Sequence, residues 1–428
     1  MQVELLSELS AERLDFLLSR SALDVSGVHR DVSAIVADVR SQGDAALLAQ
    51  HAALRPGAGI EDLKVSAAEI EAALASVDQK VIKSLALAAE NIRSFHAAQL
   101  EKPQWEMEIR PGVRAGRKHT PLNRVGCYVP GMRAVYPSTA LMTVLPAVVA
   151  GVSQVIVCTP PGEGLAVNPQ TLAACHISGV RDIYKLGGPW AIAAMAYGTA
   201  LIPKVDKIVG PGNKYVTAAK MLVFGQVDID SPAGPSEALI IADDTANPEW
   251  LALDFLAQME HDPDSAAILL TPSRGLAQAV VSRIEAILPS LPRREIMRQS
   301  GRYAAVLVAE DLNQAIEFSN RYAPEHLQID TANPWEALAA VKNAGSIFLG
   351  PYAPVAVGDY ASGTNHVLPT GGGARMFSGL SVDDFIKKPT YQYLSREGLA
   401  SLAPVVVNLA ENEGLTTHAL SVKQRLRE

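Results

Sequence analysis

Apolar positions along this chain change their spacing from region to region, and each change predicts a different kind of element. Up to about residue 100 they recur at helical intervals. Ser66 is placed to cap a helix carrying Ile70, Ala73 and Leu74, and Val81, Ile82, Leu85, Leu87, Ala88, Ile92 and Phe95 form the stripe of a longer one. From 105 to 129 the pattern becomes extended. Trp105, Met107 and Ile109 alternate with glutamates, Arg110-Pro111-Gly112 supplies a turn, and a hairpin leading into a buried strand at 125–129 is expected.

Strand and helix signals then alternate. Strands are expected at 155–158, 183–186, 207–209 and 239–242, and helices at 137–150, 170–175, 191–197 and 214–223. That order implies a mostly parallel sheet covered by helices. A second set of the same style spans about 240 to 375, with strands near 267–270, 305–308 and 346–349. Its first helix is well marked: Asn247 suits the N-cap, Pro248 the first helical position, and Pro263 ends the run through Trp250, Leu251, Phe255 and Leu256. After about 382 the chain reads as mainly helical.

A length of 428 residues exceeds one ordinary core, and 48% hydrophobic with 19% charged residues describes a globular chain. The formal charge of −8, with only short basic pairs at Arg293-Arg294 and Lys387-Lys388, argues against a nucleic-acid partner. Three cysteines form no disulfide framework, and Cys158 lies in an apolar run that suits a buried strand. The start Met1-Gln2-Val3-Glu4 lacks the charged and apolar regions of a secretory signal, and no apolar run reaches membrane-spanning length. A cytoplasmic protein without membrane contact is expected.

Candidate chemistry begins with Gln258 and His261, three residues apart on the predicted helix and so on one face. A surface histidine near a helix end, where the dipole favours positive charge, explains that pair as well. More polar groups follow in the C-terminal third. Pro324 precedes Glu325 and His326, Asp359 and His366 sit in a Gly/Pro-rich stretch, and Glu413 and His418 lie near the end. Gln258, His261, Asp359 and His418 would make an N/O ligand set suited to zinc or a similar ion, leaving Glu325 and His326 for proton transfer. Neighbours on an extended segment point opposite ways, so a turn after Pro324 must aim both inward; a solvated loop pair is the alternative. No Gly-x-Gly-x-x-Gly turn is present. The turn Gly210-Pro211-Gly212-Asn213 follows a strand and opens a helix, so its amides can face an anion, although a plain tight turn accounts for it equally.

Several runs resemble the histidinol dehydrogenase family: Gly126-Cys127-Tyr128-Val129-Pro130-Gly131, Ile208-Val209-Gly210-Pro211-Gly212-Asn213, Ala233-Gly234-Pro235-Ser236-Glu237, Gln258-Met259-Glu260-His261-Asp262 and Ala323-Pro324-Glu325-His326. Asn343 to Gly350, Asn365 to Thr370 and Ser378 to Phe385 continue the likeness, in matching order from about residue 25 to the end. The resemblance implies two incomplete Rossmann-like domains, aldehyde-dehydrogenase-like, with helical N- and C-terminal extensions. It divides the chain into an extension at 1–24, a first α/β domain at 25–125 and 240–380, a second on the NAD side at 126–239, and a tail at 381–428. It further implies oxidation of L-histidinol to L-histidine through L-histidinaldehyde, the end of histidine biosynthesis, with two NAD+. His326 would be the base, Glu325 would activate water, and one Zn2+ per subunit on Gln258, His261, Asp359 and His418 would position the substrate.

By the same resemblance, Ser236, His326, His366 and Glu413 contact substrate beside the metal set, and Tyr128 and Asn213 contact NAD. A third NAD contact in the family is a glutamine; this chain has Trp190 there, in Gly187-Gly188-Pro189-Trp190-Ala191-Ile192. An indole can stack on a cofactor ring but cannot copy the amide's hydrogen bonds. The tail carrying Glu413 and His418 would complete the site of a neighbouring subunit, making a homodimer with shared sites. Three rivals remain at this level: a related zinc- and NAD-dependent dehydrogenase of another small alcohol such as sulfopropanediol, an aldehyde dehydrogenase using Cys127 from a loop-like setting, and a zinc hydrolase using Glu325.

Overall fold

Largely buried strands alternate with amphipathic helices, and this builds two parallel sheets. The computed structural model describes residues 1–20, 25–52, 54–131 and 135–427. They form two units, one of 1–99 with 123–385, the other of 100–122 with 386–428.

In the first unit, the larger sheet contains Glu237–Ala242, Ala266–Thr271, Ala304–Val308, His326–Asp330 and Ser346–Leu349. Taken by chain order these lie 3-2-1-4-5 across the sheet, the doubly wound order, and Val3–Leu5 adds a parallel strand beside Ala304–Val308. The strand His326–Asp330 was not among the expected elements, because its polar residues at 326, 328 and 330 hide an extended run that is buried on both faces. Apolar clusters cover both faces of the sheet, one including Phe255, Leu269 and Val306, the other Leu239, Ile268 and Leu327.

The smaller sheet contains Arg124–Tyr128, Gln154–Cys158, Ile183–Tyr184, Lys207–Val209 and Asp228–Ile229, again in the order 3-2-1-4-5. The helices Pro137–Val149, Pro169–Ser178, Gly188–Tyr197 and Lys214–Val223 match the expected positions. Val28, Val32, Val39, Leu47 and Leu63 from the N-terminal helices pack into the same core as Ile156, Ile192 and Ile208. A capping box between Ser66 and Glu69 starts Ala67–Ser76.

The second unit has the mainly helical tail expected after 382, with one strand that was not expected. Thr390–Leu394 is a strand paired antiparallel with Val113–Lys118, which pairs in turn with Gln104–Arg110. Alternation over five residues is too short to stand out beside the following helices Arg396–Asn412 and Thr416–Arg425. Among the described residues no helix is long and apolar enough to cross a membrane.

Candidate active site

Glu237 and His326 each open a strand, and the two strands run parallel side by side with Ala238 opposite His326. Their amino ends therefore meet at one edge, opposite to the carboxyl edge where open α/β sheets usually bind ligands. The turn that aims the dyad comes before Pro324 rather than after it. Ala323 takes a left-handed conformation with φ 52° as it ends the helix Leu312–Tyr322. Gly345 lets the next strand approach, since a side chain there would meet the Glu325 carbonyl at 2.6 Å. The solvated-pair alternative fails: Glu325 is 6% exposed and His326 3%.

Each dyad atom has a defined neighbour. Glu325 Oε2 accepts from Ser236 Oγ at 2.7 Å and from the Glu237 N–H at 2.8 Å. His326 Nδ1 lies 3.1 Å from the Glu237 carbonyl, which can only accept, so when the ring is neutral its proton sits on Nδ1 and its lone pair on Nε2. Nε2 is buried without a hydrogen-bond partner, 3.6 Å from Asp359 Oδ1. Burial opposes charge on His326, but the carboxylates of Glu325 and Asp359 and the Glu237 carbonyl outweigh it and hold the ring up at about 9. Burial raises the Glu325 carboxyl, against the pull of His326 and the hydrogen bonds from Glu237 and Ser236. Burial also opposes ionisation of Asp359, yet His326, His366 and His261 together keep it below the usual carboxylate range.

Gln258 stands where expected, buried near the end of Pro248–Met259, a helix capped by Asn247. Its Nε2 donates to Ser236 Oγ at 3.1 Å, and its Oε1 is buried without a partner. His261 corrects the expectation of a shared helical face. The helix ends at Met259, so His261 is exposed in the bend that follows, although it still acts electrostatically on Asp359. Asp359 is carried by Val355–Tyr360, and His366 donates from Nδ1 to the Asp359 carbonyl at 2.8 Å while Nε2 lies 3.3 Å from Thr139 Oγ1. Burial lowers the pKa of His366.

An unpartnered amide oxygen on Gln258 and, at Asp359, a carboxylate held ionised with His261 acting on it are donor types that suit a borderline divalent ion. The residues present fit such an ion but do not enclose it. Among the described residues no three His, Cys, Asp or Glu side chains gather into a metal cage. Glu413 and His418 belong to the second unit, Glu413 capping the end of Arg396–Asn412 and His418 exposed in Thr416–Arg425.

The cofactor candidates gather at the carboxyl edge of the smaller sheet. Tyr128 ends its strand buried, and its hydroxyl accepts from the Gly188 N–H at 3.1 Å. Trp190 lies in the first turn of Gly188–Tyr197, half-buried against the core. Asn213 is exposed and caps Lys214–Val223, its Oδ1 taking the N–H groups of Tyr215 and Val216 at 3.0 and 3.2 Å. Those two helix amides are thus committed to the cap, and of the turn's own amides, expected to face an anion, that of Gly210 is taken by Asp230. Gly210 has φ 120° and tolerates no side chain against the Tyr128 carbonyl, and its backbone is held by Asp230 at 2.6 Å and Lys220 at 3.1 Å. Cys127 proves to be no loop residue. It is fully buried in Arg124–Tyr128, where burial pushes its thiol far above the reactive range, so it cannot serve as a nucleophile.

Sequence reasoning missed Glu237 as a functional group and Arg20 entirely. Arg20 donates to Glu237 Oε1 at 2.8 Å across 217 positions of chain, and no local pattern announces such a contact.

The family model described as histidinol dehydrogenase matches residues 18–426. A histidinol dehydrogenase of Methanothermobacter thermautotrophicus is 51% identical over 424 residues, 99% of each chain. That of Geobacter sulfurreducens is 47% identical over 414 residues, 96% of each chain. A crystal structure of histidinol dehydrogenase from Elizabethkingia anophelis superposes with TM-score 0.93 at 41% identity, covering 100% of this chain and 98% of the other.

Proposed function

This chain belongs to the histidinol dehydrogenase family, and from that premise we propose that it oxidises L-histidinol through L-histidinaldehyde to L-histidine with two equivalents of NAD+. The observation that carries the reading is His326: Nδ1 is tied to the Glu237 carbonyl while Nε2 is buried, unpartnered and facing Asp359.

The chain's own groups supply the proton chemistry. His326 Nε2 takes the hydroxyl proton as hydride leaves the carbinol carbon, and Nδ1–H stays on Glu237. Glu325, held by Ser236 and Glu237, draws a proton from water as the water oxygen adds to the aldehyde carbon, and His326 returns its proton to the former carbonyl oxygen, which leaves the ring neutral again. His326 then takes the hydroxyl proton of the hydrate as the second hydride leaves. Ser236 and His366 contact substrate, and Glu413 reads its amino group by charge. The residues that would hold a zinc ion are Gln258, His261, Asp359 and, from a second copy, His418; bound there it would fix the substrate's imidazole and amine, and NAD+ would take up each hydride.

For the cofactor, the reading assigns the smaller sheet, with Tyr128, Trp190 and Asn213 as contacts, and leaves 240–380 the catalytic and metal side. The doubly wound order and the edge position of these residues support it. Homodimerisation with exchange of the 381–428 tail is supported by the second unit's exposed apolar side chains: Trp105, Met107 and Ile109 on one face of an edge strand, and Val405, Leu409 and Leu420 on the tail helices. Three buried free cysteines agree with work in the reducing cytoplasm.

The test is NADH formed per mole of L-histidinol consumed, before and after chelation. Two per mole, lost on chelation and restored by zinc, is the expected result. One per mole, or turnover indifferent to chelation, contradicts the reading.

A further inference from the structure

Glu237 touches the dyad from three directions. Its N–H donates to Glu325 Oε2 at 2.8 Å, its Oε1 accepts from the Glu325 N–H at 3.2 Å, and its carbonyl accepts from His326 Nδ1 at 3.1 Å. Two of these contacts are backbone and are fixed by the register of the sheet. The third belongs to the side chain and acts on Glu325 alone. A carboxylate only 2% exposed is costly to keep ionised, and burial pushes Glu237 up to about 7 even with a cation against it.

That cation is Arg20, which ends the first helix, Ala11–Ser19, and is 8% exposed. Its Nη2 donates to Glu237 Oε1 at 2.8 Å, and its Nε forms an ion pair with Oε2. The same group lies over the Tyr322 ring at 3.4 Å and donates to the Tyr322 carbonyl at 2.7 Å. Tyr322 leads directly into Ala323, Pro324 and Glu325. Arg20 therefore holds both the strand that contacts the dyad and the segment that delivers it.

We propose that Arg20 and Glu237 form a buried positioning pair that aims Glu325, and so sets how completely the intermediate aldehyde is carried on to the acid. The inference rests on the reading of the reaction given above and deepens it. His326 keeps its backbone partner whatever happens to the Glu237 side chain, so hydride removal from the alcohol is affected less. Addition of water to the aldehyde needs Glu325 on line, so that half suffers more. Neither member of the pair is a catalytic residue, because each acts through Glu325.

The experiment uses the full-length zinc-loaded enzyme and measures kcat and KM separately for L-histidinol and L-histidinaldehyde, with NADH yield and Tm. Glu237→Gln keeps the volume but removes the negative charge that faces the Arg20 guanidinium. We expect kcat on the aldehyde to fall about tenfold more than kcat on the alcohol, with KM values within about twofold. NADH per histidinol falls from two toward one, and aldehyde trapped by semicarbazide appears. Arg20→Ala gives the same split, Arg20→Lys a milder one, and millimolar ethylguanidinium restores the alanine variant; should that variant not fold, Glu237→Gln alone decides. Equal losses in both halves, or losses that follow only the folded fraction, overturn the inference. A wild-type enzyme yielding one NADH removes the reaction reading itself, and this inference with it.

Discussion

The amide of Gln258 donates to the hydroxyl of Ser236 at 3.1 Å, and that bond decides which end of the amide is free. Because Ser236 passes its own proton to Glu325 at 2.7 Å, its oxygen must accept from Gln258, which leaves Gln258 Oε1 buried and open. Gln258, proposed for the metal, and Glu325, proposed to activate water, are thereby joined through one hydroxyl.

Ser236→Ala breaks both bonds at once. Loss of such an orienting partner lowers metal affinity by about 10- to 100-fold, and competition with a zinc chelator measures it. Unchanged affinity together with unchanged kcat would mean the hydroxyl orients neither group.

Turnover is expected to rise with pH. His326 accepts a proton only when neutral, and its value is held up at about 9, so kcat climbs through neutral pH toward that region. Glu325 is the strongest of the groups that raise it, so in Glu325→Gln the residual alcohol oxidation reaches its plateau at lower pH. For stability the sign runs the other way. The contribution of this ring is full below its ordinary 6.5 and is lost as pH rises through about 9. A pH series of kcat and Tm checks both.

Gly210→Ala forces a side chain onto a backbone at φ 120° and against the Tyr128 carbonyl. The expected cost is about 1–3 kcal/mol in denaturant unfolding, with a raised KM for NAD+ and little change in KM for histidinol. A variant of full stability and normal NAD+ kinetics would remove this turn from the cofactor site.

Mixing two dead variants tests tail exchange. His326→Asn spoils the core side of a site and His418→Ala the tail side, so a heterodimer with exchanged tails holds one site with both lesions and one with none. After co-refolding in equal amounts, activity returns to about one quarter of wild type. No recovery would mean that each tail serves its own chain.

Much of the architecture was legible because its signals are local. The caps Asn247 and Ser66, the helix Lys214–Val223 and the strands Lys207–Val209 and Ser346–Leu349 fall where apolar spacing and cap chemistry put them. Errors arose where a local signal was short or mixed. His326–Asp330 alternates polar with apolar residues yet lies buried on both faces, and His261 falls two residues past the helix that was expected to carry it.

By itself, the order of residues along the chain determined most of the succession of strands and helices and the few polar side chains worth following. Periods of two and of three to four residues report only near neighbours, so they are readable without coordinates. The tertiary structure alone decided that the Glu325–His326 pair sits at the amino edge of one sheet while Tyr128 and Asn213 sit at the carboxyl edge of the other. It also decided that Arg20 reaches Glu237. Those outcomes depend on which parallel strands become neighbours, and that is settled by packing of the whole core rather than by any segment of it.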